Sequence, residues 1–139
     1  MGLSVDKLKA MLKSIGCEGK QSGCEFYIML PDIFPWYGGG DKHESENSRI
    51  IATVTLQFGV WEFTDVWPTP DIRSWNDEPL GVEMRKGSID LTNGAMDALK
   101  NFDLEQVKTW LENKIGEVGK KAKAYRKLSL NHCSKDYEV

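Results

Sequence analysis

The strongest constraint on the fold is a segment in which apolar and polar side chains alternate, residues 49–58. The apolar side chains that share one face are Ile50, Ala52, Val54, Leu56 and Phe58. Alternation with a period of two predicts a β-strand that buries one of its faces. Such a strand needs neighbouring strands beside it and a covering layer on its apolar face.

Other segments supply the neighbouring strands. Residues 24–30 alternate in the same way, with Cys24 and Phe26 on the apolar side. Residues 80–84 and 89–91 form a predicted hairpin. Each of these segments is short enough to be one strand of a small antiparallel sheet.

Gly59 ends the alternation of the first strand. After it the bulky side chains change face, so that Trp61 and Phe63 fall on the same side as Gln57. Glycine tolerates the backbone angles of either a bulge or a reversal. The sequence therefore leaves open whether residues 60–67 continue the strand or pair back on it.

A helix is predicted at each end of the chain. The first begins after Ser4, a good N-cap residue, and ends at Gly16. The last begins at Asp103, with Gln106 three residues on in a capping-box pattern. Its apolar stripe extends over 104–128.

Two glycines interrupt this last helix. Gly116 and Gly119 lie within the stripe, and each costs about 1 kcal/mol in a helix interior. A break at this point and a continuous helix are both compatible with the sequence.

These elements predict an α+β fold, with the N-terminal helix and the long C-terminal helix on one face of an antiparallel sheet of about three to five strands. Residues 1–139 are predicted to form a single domain. A glycine-rich bend is expected over 17–23, a mobile loop over 36–48 and a flexible tail over 129–139.

The composition excludes several classes of protein. With 139 residues and 40% apolar side chains, the chain is large enough for a core without disulfide bonds. It contains no apolar run of the roughly 18 residues that a membrane span needs. The three cysteines are an odd number at irregular spacing, which favours a reducing, cytoplasmic location.

The net charge of −3 conceals an uneven distribution. Residues 31–105 carry 6 basic and 14 acidic side chains, a net charge of −8. Residues 106–139 carry 8 basic and 4 acidic side chains, a net charge of +4. The middle of the chain is therefore acidic and its end is basic.

The sequence lacks the usual signs of catalysis and of cofactor or metal binding. The two histidines, His43 and His132, lie in segments that are predicted to be loose, where a catalytic base would be poorly held. The spacing of the cysteines does not suit a zinc site, and no phosphate-binding loop is present. No cofactor and no metal are expected, although a small enzyme with an unrecognised site remains an alternative.

Aromatic and acidic residues suggest a binding surface instead. Tryptophan is favoured at protein interfaces because it offers a large contact area with few rotamers to freeze. Loop tryptophans can also fold back over a small core, while Trp61 and Trp110 fit apolar faces and are expected in it. The predicted partner-binding residues are Trp36, Tyr37, Trp67, Asp71, Trp75, Asp77 and Glu78.

The favoured hypothesis is a non-enzymatic, cytoplasmic protein that acts by binding a macromolecule, with a protein partner favoured over nucleic acid. One version is an inhibitor or modulator of a nucleic-acid-handling enzyme, of the kind encoded by phages and mobile elements, whose acidic groups occupy a basic groove of the enzyme. The alternative is a nucleic-acid-binding module that uses a basic cluster, although the same charges would also suit a solvated helix face. The residues of this cluster are Lys120, Lys121, Lys123, Arg126 and Lys127.

Overall fold

The computed structural model describes residues 3–38, 42–66, 72, 73, 99 and 103–137, and its side-chain description leaves out 42, 44, 121 and 124–137. The described elements, in chain order, are α1 (Val5–Ser14), β1 (Glu18–Ser22), β2 (Glu25–Met29), α2 (Lys42–Arg49), β3 (Ile50–Gln57), β4 (Val60–Val66) and α3 (Leu104–Tyr137). The predicted α+β fold is confirmed: one antiparallel sheet is combined with an N-terminal helix and a long C-terminal helix.

The sheet has the strand order β1-β2-β3-β4, and every neighbouring pair is antiparallel. Strand β4 pairs back on β3, which decides the question that the sequence left open at Gly59. Phe58 and Gly59 both have positive φ, 53° and 76°. A two-residue hairpin turn of this kind matches the twist of its strands and requires left-handed backbone at both central positions.

The core lies between one face of the sheet and the two terminal helices. Phe26, Val54 and Phe63 come from paired positions of three strands and are buried together. Leu12 of α1 and Leu111 of α3 belong to the same buried cluster. Burying a side chain of this size stabilises the fold by roughly 1.5–3 kcal/mol, so these contacts fix both helices on the sheet.

The segment predicted as a glycine-rich bend, 17–23, contains strand β1. Residues 18–22 pair with β2 through a tight turn at Gly23, although their side chains are all exposed. The segment has no alternating apolar residues, so its pattern gave no sign of a strand. Its contact with the core at Gly19 requires the lack of a side chain, because a Cβ there would overlap the buried Phe26 ring.

Residues 42–48 of the segment predicted as a mobile loop, 36–48, belong to helix α2 and are not a loop. Polar contacts hold this short helix against the rest of the protein. Glu46 forms an ion pair of 2.8 Å with Lys20 on β1, and the Ser48 hydroxyl donates to the Tyr37 carbonyl over 3.2 Å. These partners are distant in sequence and therefore invisible to a search for apolar periodicity.

Helix α3 is continuous through both of its glycines and extends to Tyr137, into the segment predicted as a flexible tail. Asp103 caps it, as predicted, because its carboxylate accepts the Gln106 N–H over 2.8 Å. Gly119 gives the Phe34 ring room, since a Cβ there would lie 3.2 Å from two ring carbons. The hairpin predicted at 80–84 and 89–91 lies outside the described residues.

We expect Gly19→Ala to lower the free energy of unfolding by about 1–3 kcal/mol, because the added methyl group must displace the Phe26 ring inside a packed core. Urea denaturation followed by circular dichroism measures this change. Gly116→Ala is the matched control, since nothing lies within 4 Å of its Cβ position. That substitution should raise stability by about 0.5–1 kcal/mol, and equal effects at the two sites would contradict the proposed packing.

Candidate partner-binding surface

A groove of about 440 Å³ lies along the first turns of α3. The described residues that line it are Asp103, Glu105, Gln106, Thr109, Trp110 and Asn113. Helix geometry explains this set, because positions three and four apart fall on one side of a helix. A tryptophan and two carboxylates therefore lie along a single concave surface.

The two carboxylates of the groove differ in what they can offer a partner. Asp103 already accepts the Gln106 N–H as the helix cap, so part of its hydrogen-bonding capacity is used. Glu105 is exposed and lies five positions before Trp110, about 1.4 turns of helix, so the two side chains leave the helix in different directions while both line the groove. A guanidinium or ammonium group placed between an indole face and a carboxylate gains both a cation–π contact and an ion pair. The groove is thus chemically suited to an arginine or lysine side chain.

Trp110 was expected in the core, and the structure places it at the boundary of the core. It is partly buried and packs against the central cluster while it also lines the groove. Polar residues around it at helical spacing, Gln106 and Asn113, mark the edge of the apolar stripe. That spacing is the sequence signal that would have identified the surface.

Trp36 was predicted to bind a partner, but it is buried, with 2% of its surface exposed. Its indole N–H donates to the Pro31 carbonyl over 3.1 Å, and its ring meets Phe34 edge to face at 5.7 Å. Its backbone also forms a bridge with Ile72. The interpretation in which a loop tryptophan folds back over the core is the one that applies to this residue.

Tyr37 lies at the surface and is 38% exposed, so its ring is accessible to a partner. The other residues predicted for partner binding, Trp67, Asp71, Trp75, Asp77 and Glu78, lie outside the described residues. Their part of the predicted surface stays a prediction.

Strand β4 carries two further acidic residues from the acidic middle of the chain. Glu62 and Asp65 are both exposed, while Trp61 is partly buried and packs against the core. The Trp61 backbone carbonyl accepts the Leu3 N–H over 3.0 Å, which attaches the N-terminal segment to this edge of the sheet. Trp61 was expected in the core, and the structure places it at the core's edge.

The basic cluster of the alternative hypothesis is only partly described. Lys120 and Lys123 are exposed on α3. Residues 121, 126 and 127 belong to the same helix, and their side chains are not described. Lys114, which precedes the cluster in sequence, is 3% exposed and lies 3.8 Å from Glu117, so it does not extend the exposed basic surface.

A second, smaller groove of about 220 Å³ lies between β1, β2 and α2. Lys20 and Glu46 both line it, and their 2.8 Å ion pair spans it. Its two charged groups neutralise each other, and Tyr27, Met29 and Ile50 add apolar surface to the lining. The ion pair joins α2 to β1.

Cys17 lies beside a cluster of charged groups. Burial raises the pKa of its thiol to about 12, the nearby Arg49 guanidinium opposes that rise, and the Glu18 carboxylate adds to it. The nucleophilic form of cysteine is the thiolate. At neutral pH Cys17 is therefore protonated, and it suits packing better than nucleophilic catalysis.

Within the described residues, no group of three or more histidine, cysteine, aspartate or glutamate side chains is placed to hold a metal ion. Cys24 was predicted to face the core, but it lies exposed in the turn before β2. His43 is exposed on α2.

Comparison of the chain with protein-family models, curated proteins and solved structures found no match. Among the helices of the described residues, none combines the length and the apolar content that crossing a membrane requires.

The raised pKa of the Cys17 thiol predicts slow reaction with thiol reagents and a stability that depends on pH. In a Cys133→Ser background at pH 8, we expect Cys24 to react readily with a thiol reagent. Cys17 should be slower in the folded protein than in urea, on the order of a thousandfold, because folding raises its pKa from 9.0 to about 12. Mass spectrometry of the labelled peptides distinguishes the two sites.

The same shift lowers stability at high pH. Between about pH 9 and 12 the unfolded thiol loses its proton while the folded thiol keeps it, so the folded state binds more protons and becomes less stable as pH rises. Replacing Cys17 with alanine should flatten this part of the stability curve. Rapid labelling of Cys17 without denaturant would show that the thiol is not buried as described.

Proposed function

We propose that this protein is a non-enzymatic, cytoplasmic binding protein whose acidic, tryptophan-containing surface engages a basic groove on a protein partner. The single observation that carries the proposal is the groove on α3, which both Trp110 and the exposed Glu105 line. The exposed carboxylates of β4, Glu62 and Asp65, are further described members of the acidic middle of the chain.

The proposed partner is a nucleic-acid-handling enzyme, which this protein inhibits or modulates. Such enzymes bind phosphates in positively charged grooves, and an acidic protein surface offers the same sign of charge as the nucleic acid. Carboxylates accelerate the encounter, while a buried aromatic contact supplies most of the affinity. Glu105 and Trp110 would have these two roles.

An alternative function is nucleic-acid binding through the basic part of α3. It is supported by the exposure of Lys120 and Lys123 on a continuous helix. Lys120 and Lys123 are three positions apart, so they fall on one side of that helix. The burial of Lys114 counts against it, because it reduces the number of lysines that can reach a phosphate.

A pull-down from an extract of the native host tests the favoured function. The full-length protein is the bait, and quantitative mass spectrometry measures each captured protein. We expect Glu105→Gln and Trp110→Leu each to reduce capture of the specific partner by at least about tenfold, the effect of losing one interfacial ion pair or aromatic anchor. Urea denaturation of each variant checks that the fold is retained.

Asp6→Asn is the matched control, because it removes one exposed negative charge from α1, at a residue that does not line the groove. Capture by this variant should equal that of the wild type. A captured protein that is insensitive to both groove substitutions, or equally sensitive to Asp6→Asn, would contradict the assignment of the surface to α3.

A fluorescence-anisotropy titration with a labelled duplex and a labelled single strand tests the alternative. Binding through the lysines predicts an affinity that falls as salt rises, and a Lys120→Gln/Lys123→Gln variant whose salt slope is smaller by about two. Lys7→Gln on α1 removes an exposed lysine elsewhere and should leave the slope unchanged. Absence of salt-sensitive binding at 50 mM salt would exclude this alternative.

A further inference from the structure

The two edge strands of the sheet, β1 and β4, differ in whether another segment of the described chain pairs with their outer side. At β4, the backbone of Leu3 bridges to Trp61 and partly closes the edge. At the opposite edge, β1 pairs with β2 on its inner side, and all five of its residues are exposed. Within the described part of the chain, β1 is therefore an open edge whose outer backbone groups face solvent.

The pairing pattern identifies which backbone groups face outwards. The Cys24 carbonyl accepts the Leu56 N–H over 2.7 Å, so Cys24 and every second residue after it, including Phe26, direct their backbone groups towards β3. Intervening residues such as Tyr27 point towards β1, where Tyr27 is paired with Lys20. The N–H and C=O groups of Gly19 and Gln21 consequently point away from the sheet.

The features that normally protect an open edge are weakened here. A lysine on an edge strand discourages pairing through its charge, but Lys20 is held in a 2.8 Å ion pair with Glu46. Gly19 lacks a side chain, and the Phe26 ring beneath it leaves no room for one. The backbone of Gly19 is therefore accessible to an approaching strand, while Lys20 and Gln21 beside it carry exposed side chains.

We propose that β1 pairs with β1 of a second copy of this chain, in an antiparallel arrangement centred on Gly19. The two glycines then exchange both of their outward backbone hydrogen bonds. Glu18 of each copy lies opposite Lys20 of the other, so opposite charges face each other twice across the seam. These contacts add to the ion pairs within each chain, Glu18 with Arg49 at 2.7 Å and Lys20 with Glu46 at 2.8 Å. The sheets of the two copies join into one continuous sheet.

Charge distinguishes this register from its neighbours. The outward backbone groups also permit Gly19 to pair with Gln21, but this would place Lys20 directly opposite Lys20 of the second copy. Like charges in that position destabilise a pair of strands. A register centred on Gln21 would leave Lys20 opposite Ser22, without a carboxylate. The register centred on Gly19 is the one in which both charges of β1 find opposite partners.

Sedimentation equilibrium of the full-length protein tests the pairing. Because the strand has five residues, we expect weak association, with a Kd on the order of 100 µM. Lys20→Glu places two carboxylates opposite each other twice and should raise the Kd at least about tenfold. Gln21→Pro removes an outward N–H without touching the β1–β2 pairing and should also weaken the dimer.

Two controls separate the edge contact from indirect effects. Lys7→Glu makes the same change in net charge on α1 and should leave the Kd unchanged. Glu46→Gln breaks the ion pair with Lys20 but keeps the charges of β1, so the dimer should persist. A monomer at concentrations up to about 1 mM, or a dimer indifferent to both Lys20→Glu and Gln21→Pro, would overturn the proposal.

A zero-length carbodiimide, which couples a carboxylate to an amine, checks the register itself. In an equal mixture of ¹⁴N- and ¹⁵N-labelled protein, mixed-isotope peptides should join Glu18 to Lys20. These peptides should be absent from the Lys20→Glu variant. Intermolecular links that join other residues and lack this pair would show that a different surface associates.

Discussion

The buried guanidinium of Arg49 connects three parts of the chain that are far apart in sequence. It is 4% exposed, and its Nε donates to the Leu30 carbonyl over 3.0 Å. Its Nη2 lies 2.7 Å from a carboxylate oxygen of Glu18. The Arg49 carbonyl also accepts the Leu30 N–H over 2.9 Å. A cation can be buried only where it is paired and hydrogen-bonded, so α2, the end of β2 and the start of β1 must meet at this residue.

The burial of Arg49 explains why β1 and α2 form, although the sequence pattern predicted neither of them. The alternation of residues 49–58 revealed β3, and helical spacing revealed α1 and α3, because each of these elements buries a periodic apolar face. Strand β1 and helix α2 have no such face. They form because Arg49, Glu18 and the Lys20–Glu46 ion pair fix them from a distance. Single-sequence periodicity records local burial and cannot record partners that tertiary structure brings together.

The predicted partner-binding surface is described at only two of its seven residues. Trp36 is enclosed by Pro31 and Phe34, Tyr37 is exposed, and the other five lie outside the described part of the chain. The groove on α3, with Glu105 and Trp110, was not among the predicted residues. Whether a tryptophan beside prolines covers the core or projects from it depends on a hydrogen-bond partner for its N–H. The Pro31 carbonyl, which accepts that N–H, is a backbone group and leaves no trace in the sequence.

The charge gradient along α3 has different causes at its two ends. Acidic residues in the first turn suit the positive end of the helix dipole, and Asp103 is explained completely by its role as the cap. The dipole acts within about one turn of each end. Since α3 continues to Tyr137, residues 120–127 lie ten or more residues before its C-terminus, and the dipole does not account for their charge. Lys120 and Lys123 are therefore either the solvated side of a long helix or a contact surface for phosphates, and salt-dependent binding distinguishes these two roles.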